Sequence, residues 1–158
     1  MSFLLSRKRK TPMTNPGADN LISAVAKALN RELKIKNFSD RLMIQKGCFL
    51  LNDMGVSPVY NFSLYIRGPY SSELADDYYE LMRNNTLSYH TDVNDSYISQ
   101  LSEIAARGPK YLEAYSTLIL AKRYNPKMEK DGLVNFVSEI KPTLKKEIVE
   151  AAGSLTFQ

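Results

Sequence analysis

The chain has one cysteine and one histidine in 158 residues. A lone thiol, Cys48, excludes an internal disulfide. The start MSFLLSRKRK does not read as a secretory signal, because its apolar residues are few and its positive charges follow them. A reducing cytoplasm is therefore the expected compartment. Zinc sites of the common kind need several Cys or His ligands, more than Cys48 and His90 supply. Glycine-rich phosphate loops are missing too, since Gly68 and Gly108 stand singly beside Pro69 and Pro109. No apolar run approaches the roughly 18 residues a membrane span requires. A charge imbalance in the body is also missing. The formal charge is +4, but Arg7, Lys8, Arg9 and Lys10 carry it, and the remaining 17 basic residues meet 17 acidic ones. The body is neutral and the basic character sits in a short arm. Such an arm is able to touch phosphate, and equally reads as a solvated tail.

What is present is enough apolar matter for one core, 44% of residues. It is arranged mostly at helical spacing. Leu21, Ile22, Val25, Ala28 and Leu29 predict a helix from Ala18 to about Ile35. Ser39 or Asp40 is expected to cap a second helix, Arg41 to about Met54. Its apolar residues wrap most of the circumference, so it should be central and buried. In YNFSLYIRGPYS, residues 60–71, Tyr60, Phe62, Leu64 and Ile66 alternate with Asn61, Ser63, Tyr65 and Arg67, which predicts a strand. Gly68-Pro69 should end it. Ser71 should then cap a helix to about Asn84, followed by a short strand over Thr86–His90. Further helices are expected from Asn94 or Asp95, after Gly108-Pro109, through Leu133, Phe136, Val137 and Ile140, and from Pro142 onward with Leu144, Ile148, Ala151, Ala152 and Leu155 inward. The fold class is mainly α (α+β): a compact domain of six or seven helices with a small antiparallel sheet of two or three strands.

Candidate chemistry is sparse. Cys48 falls in the most apolar helix, where a thiol is usually inert packing, and His90 follows a short strand among polar residues. Asp76, Asp77 and Glu80 read as a solvated acidic helix face. The sequence therefore predicts no catalytic, cofactor-binding or metal-ligating residue, and no enzyme. Tyrosine is the excess: seven of the ten lie between Tyr60 and Tyr97. Tyr60 and Tyr78 are expected in the core. Tyr65, Arg67 and Tyr70 either form a docking surface or lie under another helix, and both readings stand at this level.

The segments Leu42-x-x-Gln45-Lys46 and Tyr60-x-Phe62-x-x-Tyr65-x-x-Gly68-Pro69-Tyr70-Ser71-x-x-Leu74 resemble the Panacea domain, the SocA-like antitoxin family. The likeness is nearer still to its bacterial and archaeal relatives in which Gly-Pro-Tyr-Ser opens a helix. Tyr111-Leu112-Glu113-Ala114 and Lys141-Pro142 are similar as well, and the likeness runs from about Asp40 to Ala152. It departs at Gly47-Cys48, where the family carries larger apolar residues. Residues 1–16, basic and then carrying two prolines and a glycine, read as a flexible tail, and the resemblance implies a single helical domain over residues 17–158. It further implies no catalysis and a protein partner, such as a toxin or a protease substrate. Gln45, Lys46, Gly68, Pro69 and Ser71 would be its structural motif. The competing reading is a winged-helix-like nucleic-acid-binding regulator. It rests on the helix–strand order of residues 40–91, the basic arm, and a possible patch of Arg107, Lys110, Lys122, Arg123, Lys127 and Lys130. Against it, the helix over 71–84 carries Glu73, Asp76, Asp77 and Glu80 with only Arg83, the wrong sign for a DNA groove.

Overall fold

The structure is a computed structural model that describes residues 14–155. The tail expected over residues 1–16 thus falls almost wholly outside the described residues. Seven α-helices and one two-stranded antiparallel sheet make up the described chain, the mainly α class that the periodicity predicts.

Helix α1 (Ala18–Leu29) stops earlier than the apolar pattern suggests. Asn30 takes a left-handed conformation, φ 57°, and its N–H bonds back to the Ala26 and Lys27 carbonyls. Leu33 and Ile35 still reach the core from the following loop. Helix α2 (Phe38–Asp53) starts earlier than expected, because Asn37 is the cap and accepts from the Ser39 and Asp40 amides. Asp40 instead closes the preceding loop: its carboxylate takes the Lys34 N–H at 2.8 Å and Arg31 at 3.0 Å. Ile44 through Leu51 are all buried, so α2 is the central helix foreseen. Gly47 lets α1 approach closely. A Cβ there would come within 2.6 Å of Val25 Cγ1, so Val25 fills the room beside Gly47.

The long strand is not formed. Strand β1 is Ser63–Tyr65, and Gly68–Tyr70 is not a terminator but strand β2. They pair as a tight hairpin, Ser63 with Tyr70, Leu64 with Pro69 and Tyr65 with Gly68. Gly68 holds φ +107°, which makes glycine the residue for that place. Proline fits because each strand of a two-stranded sheet is an edge. Tyr60 and Phe62 are buried as expected, and Phe62 meets Phe49 edge-on at 5.2 Å. Ile66, expected inside, sits at the turn and is 86% exposed.

Helix α3 (Ser72–Arg83) is capped by Ser71, whose hydroxyl accepts from the Leu74 amide at 3.2 Å. The strand expected over Thr86–His90 is absent, and no wing forms beside α3 among the described residues. That backbone is held by side chains from the first turn of α1. Asp19 takes the Ser88 N–H at 2.9 Å and Asn20 takes the Asp92 N–H at 2.9 Å. Tyr89, at φ 60°, donates its hydroxyl to the Leu33 carbonyl. Helix α4 (Asp95–Ala105) is capped by Asn94 as foreseen.

Helix α5 (Pro109–Tyr124), helix α6 (Lys130–Ile140), a 3-10 turn (Pro142–Leu144) and helix α7 (Lys145–Ser154) complete the chain. Two cores result. Leu112 and Leu120 of α5 join α1–α4 in one, while Tyr111, Ala114, Leu118 and Ala121 join α6 and α7 in the other. One helix therefore serves both. Ile140, expected inward at the end of the α6 stripe, is 45% exposed instead.

Candidate functional site

The β1–β2 hairpin places Tyr65 and Tyr70 diagonally across the two strands, where long side chains meet. Their rings stack at 5.1 Å, 14° from parallel. Beside them runs a groove of about 690 Å³. The hairpin from Leu64 to Tyr70 forms one wall, Phe38 and Leu42 of α2 another, and Ile140 with Lys141 the third. Its surface is mostly apolar. Cations frame it: Arg67 lies 5.7 Å and Arg41 5.5 Å from the Phe38 ring centroid. Tyr65 and Arg67 are exposed and Tyr70 is half-buried against the core, and all three line the groove.

Behind the hairpin, Gln45 and Ser71 are tied as two strands would be. The Gln45 Nε2 donates to the Ser71 carbonyl at 2.9 Å, and its Oε1 accepts from the Ser71 N–H at 2.8 Å. Both residues are buried, so this side chain replaces a missing backbone partner at the corner. Pro69 is buried beneath it.

Next to Gln45, Lys46 is 5% exposed. Its chain packs toward Gly68: a Cβ on that glycine would meet Lys46 Cε at 3.4 Å, Glu113 Cγ at 3.5 Å and Thr117 Oγ1 at 3.6 Å. The Thr117 hydroxyl is buried with no hydrogen-bond partner among the described residues. Lys141, also buried, pairs with Glu113 at 2.9 Å and donates to the Ile66 carbonyl at the hairpin tip. The motif pieces Gln45-Lys46, Gly68-Pro69, Glu113 and Lys141 thus converge on one corner from four parts of the chain. Glu113, Lys141, Phe38 and Ile140 were not foreseen as site residues. Lys46, a charge inside the most apolar helix, is the one local signal that an acid had to be nearby.

Burial lowers the Lys46 pKa from 10.5 to about 8; Glu113 opposes the shift, while Lys141 and Arg67 add to it. The folded value lies below the unfolded one. The unfolded chain therefore binds more protons between about pH 8 and 10.5, and stability rises with pH through that window. Below it the lysine is charged in both states and the cost of burial is fully present. We expect the stability of the protein relative to its Lys46→Met variant to improve by about 2 kcal/mol between pH 8 and 10, at 1.36 kcal/mol per pKa unit. Urea unfolding of both proteins across that range measures it. A pH-independent difference would refute the assignment.

The other candidates do not converge. Cys48 is wholly buried, and burial pushes its thiol well above the ordinary range, the reverse of activation. His90 lies exposed on the surface, in a different pocket. Asp77 accepts from the Tyr60 hydroxyl at 2.6 Å, Asp76 is exposed, and Glu80 pairs with Arg83. Burial, and then Asp77, push the Tyr60 phenol well up. Among the described residues no three His, Cys, Asp or Glu side chains gather to hold a metal ion, and no helix is long and apolar enough to cross a membrane. Within the suggested basic patch, Arg107 pairs with Glu150, Arg123 pairs with Asp53, and Lys122 donates to the Pro126 and Met128 carbonyls. Comparison with family models, curated proteins and solved structures finds no match to this chain.

Proposed function

We propose that this chain is a non-catalytic protein-interaction module, antitoxin-like or adaptor-like, that seats a polypeptide segment of its partner in the hairpin groove. The observation that carries this reading is the set of large apolar side chains left in solvent around one groove. Phe38 is 53%, Tyr65 56%, Ile66 86% and Ile140 45% exposed. Tyrosine, with arginine at the edge, is the composition of binding hot spots. The occupant we assign is an apolar segment bearing an acidic residue, because Arg41 and Arg67 flank the groove and Lys141 closes its end. The likeness to SocA-like domains supports a toxin or a protease substrate as the source of that segment, met in the cytoplasm.

The competing nucleic-acid reading gains nothing from the geometry. Glu73 and Asp76 stand exposed on α3, where they would repel a phosphate backbone.

A displayed random-peptide library selected on the full chain tests the proposal. Enriched peptides should carry two or more large apolar residues and an Asp or Glu. Ile66→Asp, at a solvent-exposed turn, should fold normally and weaken a selected peptide at least about 30-fold, the loss of a hot-spot residue. Peptides that bind the Ile66→Asp variant as well as the parent, or that enrich without an acidic residue, would overturn it.

A further inference from the structure

A second pocket, of about 380 Å³, shares Leu42 and Arg67 with the groove and is otherwise separate from it. Lys46, Lys110, Pro109 and Glu113 line it, with Arg31 at its border. The acids around it are engaged, Glu113 with Lys141 directly and with Lys46 at longer range. Glu113 holds Lys141 at 2.9 Å, and Asp40 holds Arg31 at 3.0 Å. Lys46, Arg67 and Lys110 have no ion pair among the described residues, and Lys46 has no hydrogen bond for its ammonium although it is 5% exposed. An ammonium on a buried stem whose tip opens to a pocket without a hydrogen-bond partner is a place for an anion to supply one.

The same wall presents the first turn of α5. Its cap, Gly108, offers no side-chain acceptor, and no acidic residue lies in that turn. Pro109 has no N–H, and the Lys110 and Tyr111 amides precede the first intrahelical bond, which Leu112 makes to Gly108. The positive end of the helix dipole therefore adds to the lysines.

We propose that this pocket binds a phosphate monoester. Lys46 and Lys110, which have no ion pair among the described residues, and a bare helix start match a dianion, whereas a single carboxylate would leave one of the lysines unbalanced. The volume exceeds that of a phosphate group, and Leu42 and Met43 give the remainder an apolar side against which an organic body can lie. The site shares Arg67 with the groove, while Lys46 and Lys110 belong to this pocket alone.

The test titrates the full chain at pH 7 with inorganic phosphate, ionic strength held constant with sodium chloride, and follows binding by calorimetry and by melting temperature. Binding should be saturable. Lys46→Met and Lys110→Gln should each weaken it at least about tenfold, the worth of one charge-assisted hydrogen bond. Lys110 is exposed, so its variant reports on the site even if the Lys46 variant is poorly folded. Lys127→Gln, at an exposed lysine outside this pocket, should leave phosphate binding unchanged, which separates the site from general surface charge. Glycerol phosphate and a phosphoserine peptide then distinguish a phosphorylated metabolite from a phosphorylated side chain as the source. Equal stabilisation by chloride alone, an unaltered affinity in both lysine variants, or acetate binding as well as phosphate would overturn the proposal.

Discussion

Replacing Glu113 by Gln is expected to destabilise the protein by about 3 kcal/mol, on the order of 10 °C in Tm. The substitution keeps the shape and removes the charge that sits between Lys46 and Lys141. Lys141 is 7% exposed at its side chain and Glu113 19%, so solvent does little to replace the lost partner. Lys141 keeps the Ile66 carbonyl as an acceptor, but its charge would then face that of Lys46 with no anion between. Thermal and urea unfolding measure the loss. The decisive comparison is the double variant Lys46→Met with Glu113→Gln. Removing one of the two stranded ammonium groups should return part of the lost stability, a coupling that distant substitutions do not show. A Glu113→Gln protein that melts within about 2 °C of the parent would sink this account of the corner.

The second large effect is expected from Gln45→Leu. Leucine fills a similar volume but can neither accept from the Ser71 N–H nor donate to its carbonyl. Each buried backbone group left unpaired costs about 1–3 kcal/mol, so a total near 3 kcal/mol is expected. The loss should be local in origin. Ser71 both caps α3 and ends β2, so hydrogen exchange should quicken first at the amides of residues 70–75. Uniform loss of protection across α5–α7 before that segment loosens would count against the proposed role.

Capping was legible in part, since Asn37 rather than Ser39 or Asp40 caps α2. Ser71 and Asn94 start α3 and α4 as their side-chain chemistry demands. The burial of α2 was readable from apolar residues on every side. The hairpin was not, because Gly-Pro usually terminates a ladder, and only the absence of a third strand makes proline harmless at position 69. Period-two alternation then carried Ile66 inward on paper, while the two-residue turn rotates it to solvent. The Thr86–His90 stretch has strand-forming residues, but Asp19 takes the Ser88 amide, and Asn20 holds the chain just beyond it at Asp92. Of the groove lining, Tyr65, Arg67 and Tyr70 were named from composition, whereas Phe38 and Ile140 were not. Nothing local marks an exposed apolar residue at a helix end as a wall for a hairpin elsewhere in the chain.

The groove has one wall from the middle of the sequence and another from the end of α6, with the Lys141 ammonium fastened to the Ile66 carbonyl between them. During synthesis the hairpin leaves the ribosome long before Ile140 and Lys141 do. A nascent chain thus offers only loose tyrosines until its last quarter has emerged and docked on α5. Under the proposed reading, partner capture waits for α6 to be complete, and a polypeptide cut short before α6 lacks one wall of the groove.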